Sequence, residues 1–215
     1  MKSPFRYLIA LLIAALLLLG SGCGRKPQFP PVPEGSSVLA IGDSVTFGTG
    51  AGSGQDYPSQ LARRTGWAIK NHGVPGDTSA GVRDRIEEAL TESNPALVLL
   101  EIGGNDFLRR TPGAEVKANI RVILQQVKSR GIPVVLIAVP QFSPIGAAVG
   151  SLPDAPLYAE LAKEEAVPLI PDVFADVLSD RRLKSDPIHP NAEGYQAMAE
   201  GMAKALAGMG LFKPR

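Results

Sequence analysis

From Ser36 to the C-terminus, short apolar runs alternate with longer amphipathic stretches, and this alternation restricts the available folds more than any other feature of the chain. VLAIG (Val38 to Gly42) reads as a buried strand, YPSQLARRTG (Tyr57 to Gly66) as a helix ending at glycine, and WAIKNHG (Trp67 to Gly73) as a second strand. SAGVRDRIEEALTES (Ser79 to Ser93) sets Val82, Ile86, Ala89 and Leu90 at helical spacing, with Asp77 or Thr78 as N-cap. LVLLEIGG (Leu97 to Gly104) is a third strand, continuous in hydrophobicity as strands of parallel sheets are. A helix from about Ala114 to Arg130 closes at Gly131, PVVLIAVP (Pro133 to Pro140) is a fourth strand, LYAELAKEE (Leu157 to Glu165) a helix and VPLIP (Val167 to Pro171) a short fifth strand. The last helix, Ala192 to about Leu206, aligns Tyr195, Met198, Ala199, Met202 and Leu206 in a stripe that reads as core packing.

Strict strand-helix alternation predicts an α/β fold: a five-stranded parallel sheet between two helical layers, a three-layer α/β/α sandwich. In such sheets the functional groups gather beyond the carboxyl ends of the strands, near the topological switch point. The residues just after strands one, two and three are therefore the ones to inspect.

A length of 215 residues at 45% hydrophobic suits one globular domain. Lysine and arginine number 22 against 21 acids, without a basic cluster, so no nucleic-acid partner is expected. Residues 1–22 belong to another physical class. Lys2 and Arg6 precede the apolar run Leu8 to Leu19, too short to span a bilayer comfortably but sized for a signal-peptide core. Gly20-Ser21-Gly22 then leads to Cys23, the single cysteine, and this resembles the lipobox of bacterial lipoproteins, with Gly20 where leucine is usual. The resemblance implies lipidation of Cys23 and an exported protein of the bacterial cell envelope, anchored in a membrane and facing the periplasm. A cleaved signal without a lipid, or an uncleaved anchor, are the alternatives. Removal of residues 1–22 would change the formal charge from +1 to −1. Residues 23–35, with the Pro-rich GRKPQFPPVPEG (Gly24 to Gly35), read as a lipidated cysteine on a semi-extended tether, and 36–215 as the folded domain.

After strand one comes Gly42-Asp43-Ser44; after strand two, Gly73-Val74-Pro75-Gly76-Asp77; after strand three, Gly103-Gly104-Asn105-Asp106; and Asp186-Pro187-Ile188-His189 precedes the last helix. GDS, the glycine of NHGVPGDTS, GGND and DPIH, in this order, resemble the four blocks of the SGNH (GDSL) hydrolases, in the thioesterase I, lysophospholipase L1 and arylesterase branch. The likeness runs from Val38 to about Leu206 and implies a flavodoxin-like SGNH fold. GDSVTFG departs from the family's usual GDSLS at Val45 and Thr46, which keep apolar bulk and a hydroxyl.

Chemistry supplies a separate reason for each residue. A serine hydroxyl is a poor nucleophile without a nearby base, and imidazole has the pKa for that exchange. Only His72 and His189 are available. His189 has Asp186 three residues before it, on a turn fixed by Pro187 and Pro190, to accept the Nδ1 proton and set the tautomer. His72 has no such partner in sequence and remains an alternative base. Ser44 is then the nucleophile, His189 the base and Asp186 its orienter. By resemblance, the oxyanion hole comprises the backbone amides of Ser44 and Gly76 and the side-chain amide of Asn105.

Asp43 reads as a hydrogen-bonding loop residue; Asp77 and Asp106 as caps or loop braces; Arg109 and Arg110 as solvated; and GTGAGSGQ (Gly48 to Gln55) as a mobile loop beside the site. Phe107, Leu108, Phe142 and Ile145 either wall an acyl chain or cover the core. The sequence contains neither a G-x-S-x-G elbow nor a metal signature, and the chemistry requires no cofactor. The expected activity is hydrolysis of a small acyl ester or thioester: a carboxylester, arylester, lysophospholipid or acyl-thioester. The alternatives are a carbohydrate or peptidoglycan O-acetylesterase, which would need a polar, open groove, and a non-catalytic envelope lipoprotein.

Overall fold

The computed structural model describes residues 30–141 and 151–214. Cys23, the N-terminal apolar run, Phe142 and Ile145 lie outside them. Five strands, β1 (Ser37–Gly42), β2 (Ala68–Gly73), β3 (Leu97–Glu101), β4 (Val134–Ile137) and β5 (Leu169–Ile170), form one parallel sheet in the order β2-β1-β3-β4-β5. This is the doubly wound order whose direction of winding reverses between β1 and β3. Eight α-helices surround the sheet among the described residues: α1 (Ser44–Phe47), α2 (Tyr57–Thr65), α3 (Ser79–Ser93), α4 (Gly104–Leu108), α5 (Gly113–Ser129), α6 (Pro156–Glu164), α7 (Val173–Ser179) and α8 (Ala192–Gly208).

Two groups of helices pack side by side, α5 with α3 and α6, and α8 with α2 and α7. Between them the central strands are shielded from solvent on both faces: Val38, Leu39, Ile41 and every residue from Leu97 to Leu100 are fully buried. Burying each such side chain stabilises the fold by about 1.5–3 kcal/mol. The α8 stripe of Tyr195, Met198, Ala199, Met202 and Leu206 is likewise fully buried. By contrast β2, at the sheet edge, has no fully buried residue.

The elements depart from the sequence expectation where an apolar run outlasts its partner strand. The third strand stops at Glu101, because Gly103 takes φ +128° and Gly104 starts α4. The fourth shrinks to Val134–Ile137 and the fifth to Leu169–Ile170, since only two residue pairs join β4 and β5. Apolar runs report burial, and pairing ends earlier. Thr78, not Asp77, caps α3 by accepting the Gly81 amide.

Ordered packing begins before Ser36. Val32 belongs to the buried core; its amide donates to the Leu211 carbonyl at 2.7 Å and its carbonyl accepts Trp67 Nε1 at 3.1 Å. Gly35 donates to the Gly66 carbonyl. Residues 32–35, expected as tether, are therefore strapped onto the body. Gly48 to Gln55, expected as a mobile loop, is tied down as well: the Tyr195 hydroxyl donates to the Thr49 carbonyl at 2.8 Å and Arg63 to that of Gly54 at 2.9 Å.

Candidate active site

Ser44 opens α1 two residues beyond the end of β1, with Asp43 between them. Asp43 caps this short helix, its Oδ1 accepting the Val45 amide at 3.0 Å. The capped turn points Ser44 Oγ at His189 Nε2, 2.9 Å away across 145 residues of sequence. His189 Nδ1 lies 2.7 Å from Asp186 Oδ2, so the carboxylate accepts the hydrogen bond of Nδ1–H, which stays on the ring and leaves Nε2 able to accept from Ser44.

The histidine turn is itself pinned. Asp186 Oδ1 accepts the amides of Ile188 and His189 at 2.8 and 2.9 Å, and the Ser185 amide donates to the His189 carbonyl at 3.0 Å. Asn191, the N-cap of α8, donates to the carbonyls of Arg182 and Lys184. Burial pushes the Asp186 pKa up, but the His189 ring and the two amides more than offset this and hold it below the ordinary value. His72 stands apart on the edge strand, its Nε2 3.4 Å from Ser93 Oγ, with its pKa lowered chiefly by burial.

Asn105, on α4, donates Nδ2 to the Asp77 carbonyl at 2.9 Å and to Asp43 Oδ2 at 3.2 Å. Both of its N–H groups thus have partners, and turning one towards a substrate oxygen means giving up the longer bond to Asp43. Gly76 sits exposed at φ +82°, its carbonyl accepting from Arg109 Nη2 at 2.9 Å. Arg109, expected as solvated, is a clamp on that loop. Asp106 braces α4 against α3 by accepting the Ser79 amide and hydroxyl at 2.8 and 2.7 Å.

Beneath the Ser44 turn is a buried acid that the motifs omit. Glu101, 0% exposed at the end of β3, accepts the Thr46 hydroxyl at 2.8 Å on Oε2, while Oε1 has no partner. The Tyr57 hydroxyl lies 3.0 Å from Thr46 Oγ1 and completes the cluster. Gly42 is obligatory here, because a Cβ would stand 2.1 Å from the Glu101 carbonyl and 2.9 Å from Oε2. Burial raises the Glu101 pKa well above the usual carboxylate range, and the Asp43 charge adds to the rise. Desolvation likewise pushes Asp43 up to about 6, against the lowering effect of the Val45 amide and His189. The signal in sequence was a lone acid ending an unbroken apolar strand.

One cleft is lined by part of this set. Ser44, Asn105 and His189 share its lining with Phe107, Leu108, Val139, Pro140, Leu152, Ile188 and, from α7, Phe174 and Leu178. Phe107 and Leu108 thus face the site, and Phe107 also packs edge-on against Tyr158. The α7 wall was missed, although Phe174, Val177 and Leu178 carry helical spacing. Among the described residues no group of three His, Cys, Asp or Glu could hold a metal ion.

A family model described as "GDSL-like Lipase/Acylhydrolase family" matches residues 40–197. Esterase TesA of Pseudomonas aeruginosa is 29% identical over 88% of this chain and 96% of its own. The thioesterase 1/protease 1/lysophospholipase L1 of Escherichia coli is 32% identical over 79% of this chain and 83% of its own. The crystal structure of AlinE4, an SGNH-hydrolase family esterase, superposes with a TM-score of 0.62 at 30% identity over 82% of this chain and 97% of that one. With that match spanning most of the domain and the fold agreeing, the chain belongs to the GDSL (SGNH) lipase and acylhydrolase family and is an ester-hydrolysing enzyme.

Proposed function

We propose that the protein is a serine acyl hydrolase in which Ser44 is the nucleophile, His189 the general base and Asp186 its orienter. The observation that carries this is the continuous hydrogen-bond chain Ser44 Oγ, His189 Nε2, His189 Nδ1, Asp186 Oδ2, at 2.9 and 2.7 Å, opening into a cleft. Ser44 Oγ bonds to the acyl carbon as its proton passes to His189 Nε2; the imidazolium is stabilised by Asp186. The amides of Ser44 and Gly76 and the side chain of Asn105 receive the oxyanion. Collapse breaks the bond to the leaving oxygen or sulfur, which takes the proton from His189. Water, deprotonated by the same ring, then releases the acid and restores Ser44.

The substrate class we infer is an acyl ester or thioester with an apolar acyl chain. Leu152, Phe174, Leu178 and Ile188 offer such a chain a greasy wall, and the names of the relatives, esterase, thioesterase and lysophospholipase, agree with it. A carbohydrate acetylesterase calls for a polar groove, which this lining does not favour. A further reading, resting on the sequence alone, is that Cys23 carries a lipid anchor; mass spectrometry of the membrane fraction finding an unmodified Cys23 defeats it.

The test is hydrolysis of nitrophenyl esters from acetyl to palmitoyl, acyl-CoA, lysophospholipid and acetylated sugars, with Ser44→Ala alongside. The variant should lose roughly 10⁴-fold or more in kcat. Activity near wild type in Ser44→Ala rejects the nucleophile, and a preference for acetylated sugars rejects the acyl-chain reading.

A further inference from the structure

The loops that converge on Ser44 are held together by a residue outside every motif. Arg85 projects from α3 with a side chain 24% exposed. Its Nε donates to Asp77 Oδ2 at 2.8 Å and its Nη2 to the Gly42 carbonyl at 3.0 Å. Gly42 is the last residue of β1, immediately before Asp43-Ser44, and its carbonyl also accepts the Val74 amide at 3.1 Å. Asp77 immediately follows Gly76; its Oδ1 accepts the Thr78 amide at 2.9 Å and its carbonyl accepts Asn105 Nδ2 at 2.9 Å. One guanidinium thus ties the nucleophile strand to the Gly76 loop, and through Asp77 to Asn105. Gly81 leaves room for this arrangement, since a Cβ there would stand 1.8 Å from Asp77 Oδ1.

We propose that Arg85 is a positioning residue for acyl transfer: by gripping Asp77 and the Gly42 carbonyl together it sets the spacing between the Ser44 and Gly76 amides that share the oxyanion. The inference rests on the serine-hydrolase reading above. Arg85 touches neither substrate nor reacting atom. Its planar fork fixes two donors in one plane, which a lysine ammonium on a flexible stem does not reproduce. Displacements of about 1 Å in a catalytic constellation cost on the order of 10²-fold in rate, so the effect belongs in kcat.

The experiment compares Arg85→Lys, Arg85→Met and Arg85→Ala with wild type and Ser44→Ala, on a soluble nitrophenyl ester, with Tm measured for each. Arg85→Met and Arg85→Ala should lose about 10–100-fold in kcat with KM changed less than about 3-fold, and Arg85→Lys should recover only part of the loss. Guanidinium at tens of millimolar should restore activity to Arg85→Ala while leaving Arg85→Met and wild type unrescued. The proposal is overturned if Arg85→Met keeps kcat within twofold, if lysine restores it fully, or if each loss equals the unfolded fraction at the assay temperature. Ser44→Ala separates the two layers: a dead Ser44→Ala beside an unimpaired Arg85→Met removes the positioning role alone, whereas an active Ser44→Ala removes the acyl-transfer reading and the proposal with it.

Discussion

The two ends of the central strands β1 and β3 are equally dry and chemically opposite. At the amino ends Val38, Leu97 and Val98 are fully buried among apolar neighbours, and burial there is favourable throughout. At the carboxyl ends Asp43, Thr46, Glu101 and Asp106 are buried to 2% exposure or less. Every carboxylate taken out of water costs free energy unless bonded, and Glu101 keeps one oxygen unpartnered. The difference shows a division of labour along one sheet. The apolar end supplies the stability that lets the polar end hold groups in conformations and protonation states that water would not allow.

The sharpest way to break the comparison is at the polar end. His189→Ala should lower kcat by about 10³–10⁴-fold or more while shifting Tm little, because it removes the proposed base from outside the hydrophobic core; steady-state kinetics and a thermal melt on the same sample check both halves. The reciprocal change is Leu99→Ala, in the middle of β3. It should destabilise the fold by about 2–5 kcal/mol in a urea titration, with kcat of the remaining folded enzyme close to wild type. A large kcat loss there would show that the two ends are not separable.

The pH dependence sharpens the contrast further. Asp43 titrates near 6 in the folded protein against 3.8 as its ordinary value. The folded state therefore binds more protons than the unfolded one between those values, so this group's contribution is fully present below pH 3.8 and is lost as pH rises through about 6. Relative to Asp43→Asn, wild type should lose stability between pH 4 and 7, as read by melts across that range; a flat difference would contradict it. The smallest effect is expected from Thr46→Val, which takes the donor from Glu101 Oε2. Stability should fall by about 1–3 kcal/mol for the buried carboxyl oxygen left without that side-chain donor, and the double variant Thr46→Val with Glu101→Gln should recover part of it in the same titration.

Much of this molecule is legible along the chain. Hydrophobic patterning is a local property: short continuous apolar runs placed all five strands, and apolar residues recurring at three and four positions placed the long helices. Ser44, Gly76, Asn105, Asp186 and His189 could be named as candidates for a related reason: each follows a strand or precedes a helix, where a parallel sheet collects its functional groups. The short helices α1 and α4 were not legible, since about one turn carries too few residues for a period and owes its shape to caps and packing, whereas the apolar spacing of α7 was present and went unread.

What the sequence determined by itself is the order of elements and which residue types stand at their ends. Only the tertiary structure decided that Ser44 and His189 meet across 145 residues, that Arg85 spans Gly42 and Asp77, that Glu101 lies beneath the Ser44 turn, and that α7 walls the cleft. The physical reason is that these contacts join residues remote along the chain. Their distances are set by strand order and by the packing of helices on the sheet, neither of which leaves a periodic trace in any one segment.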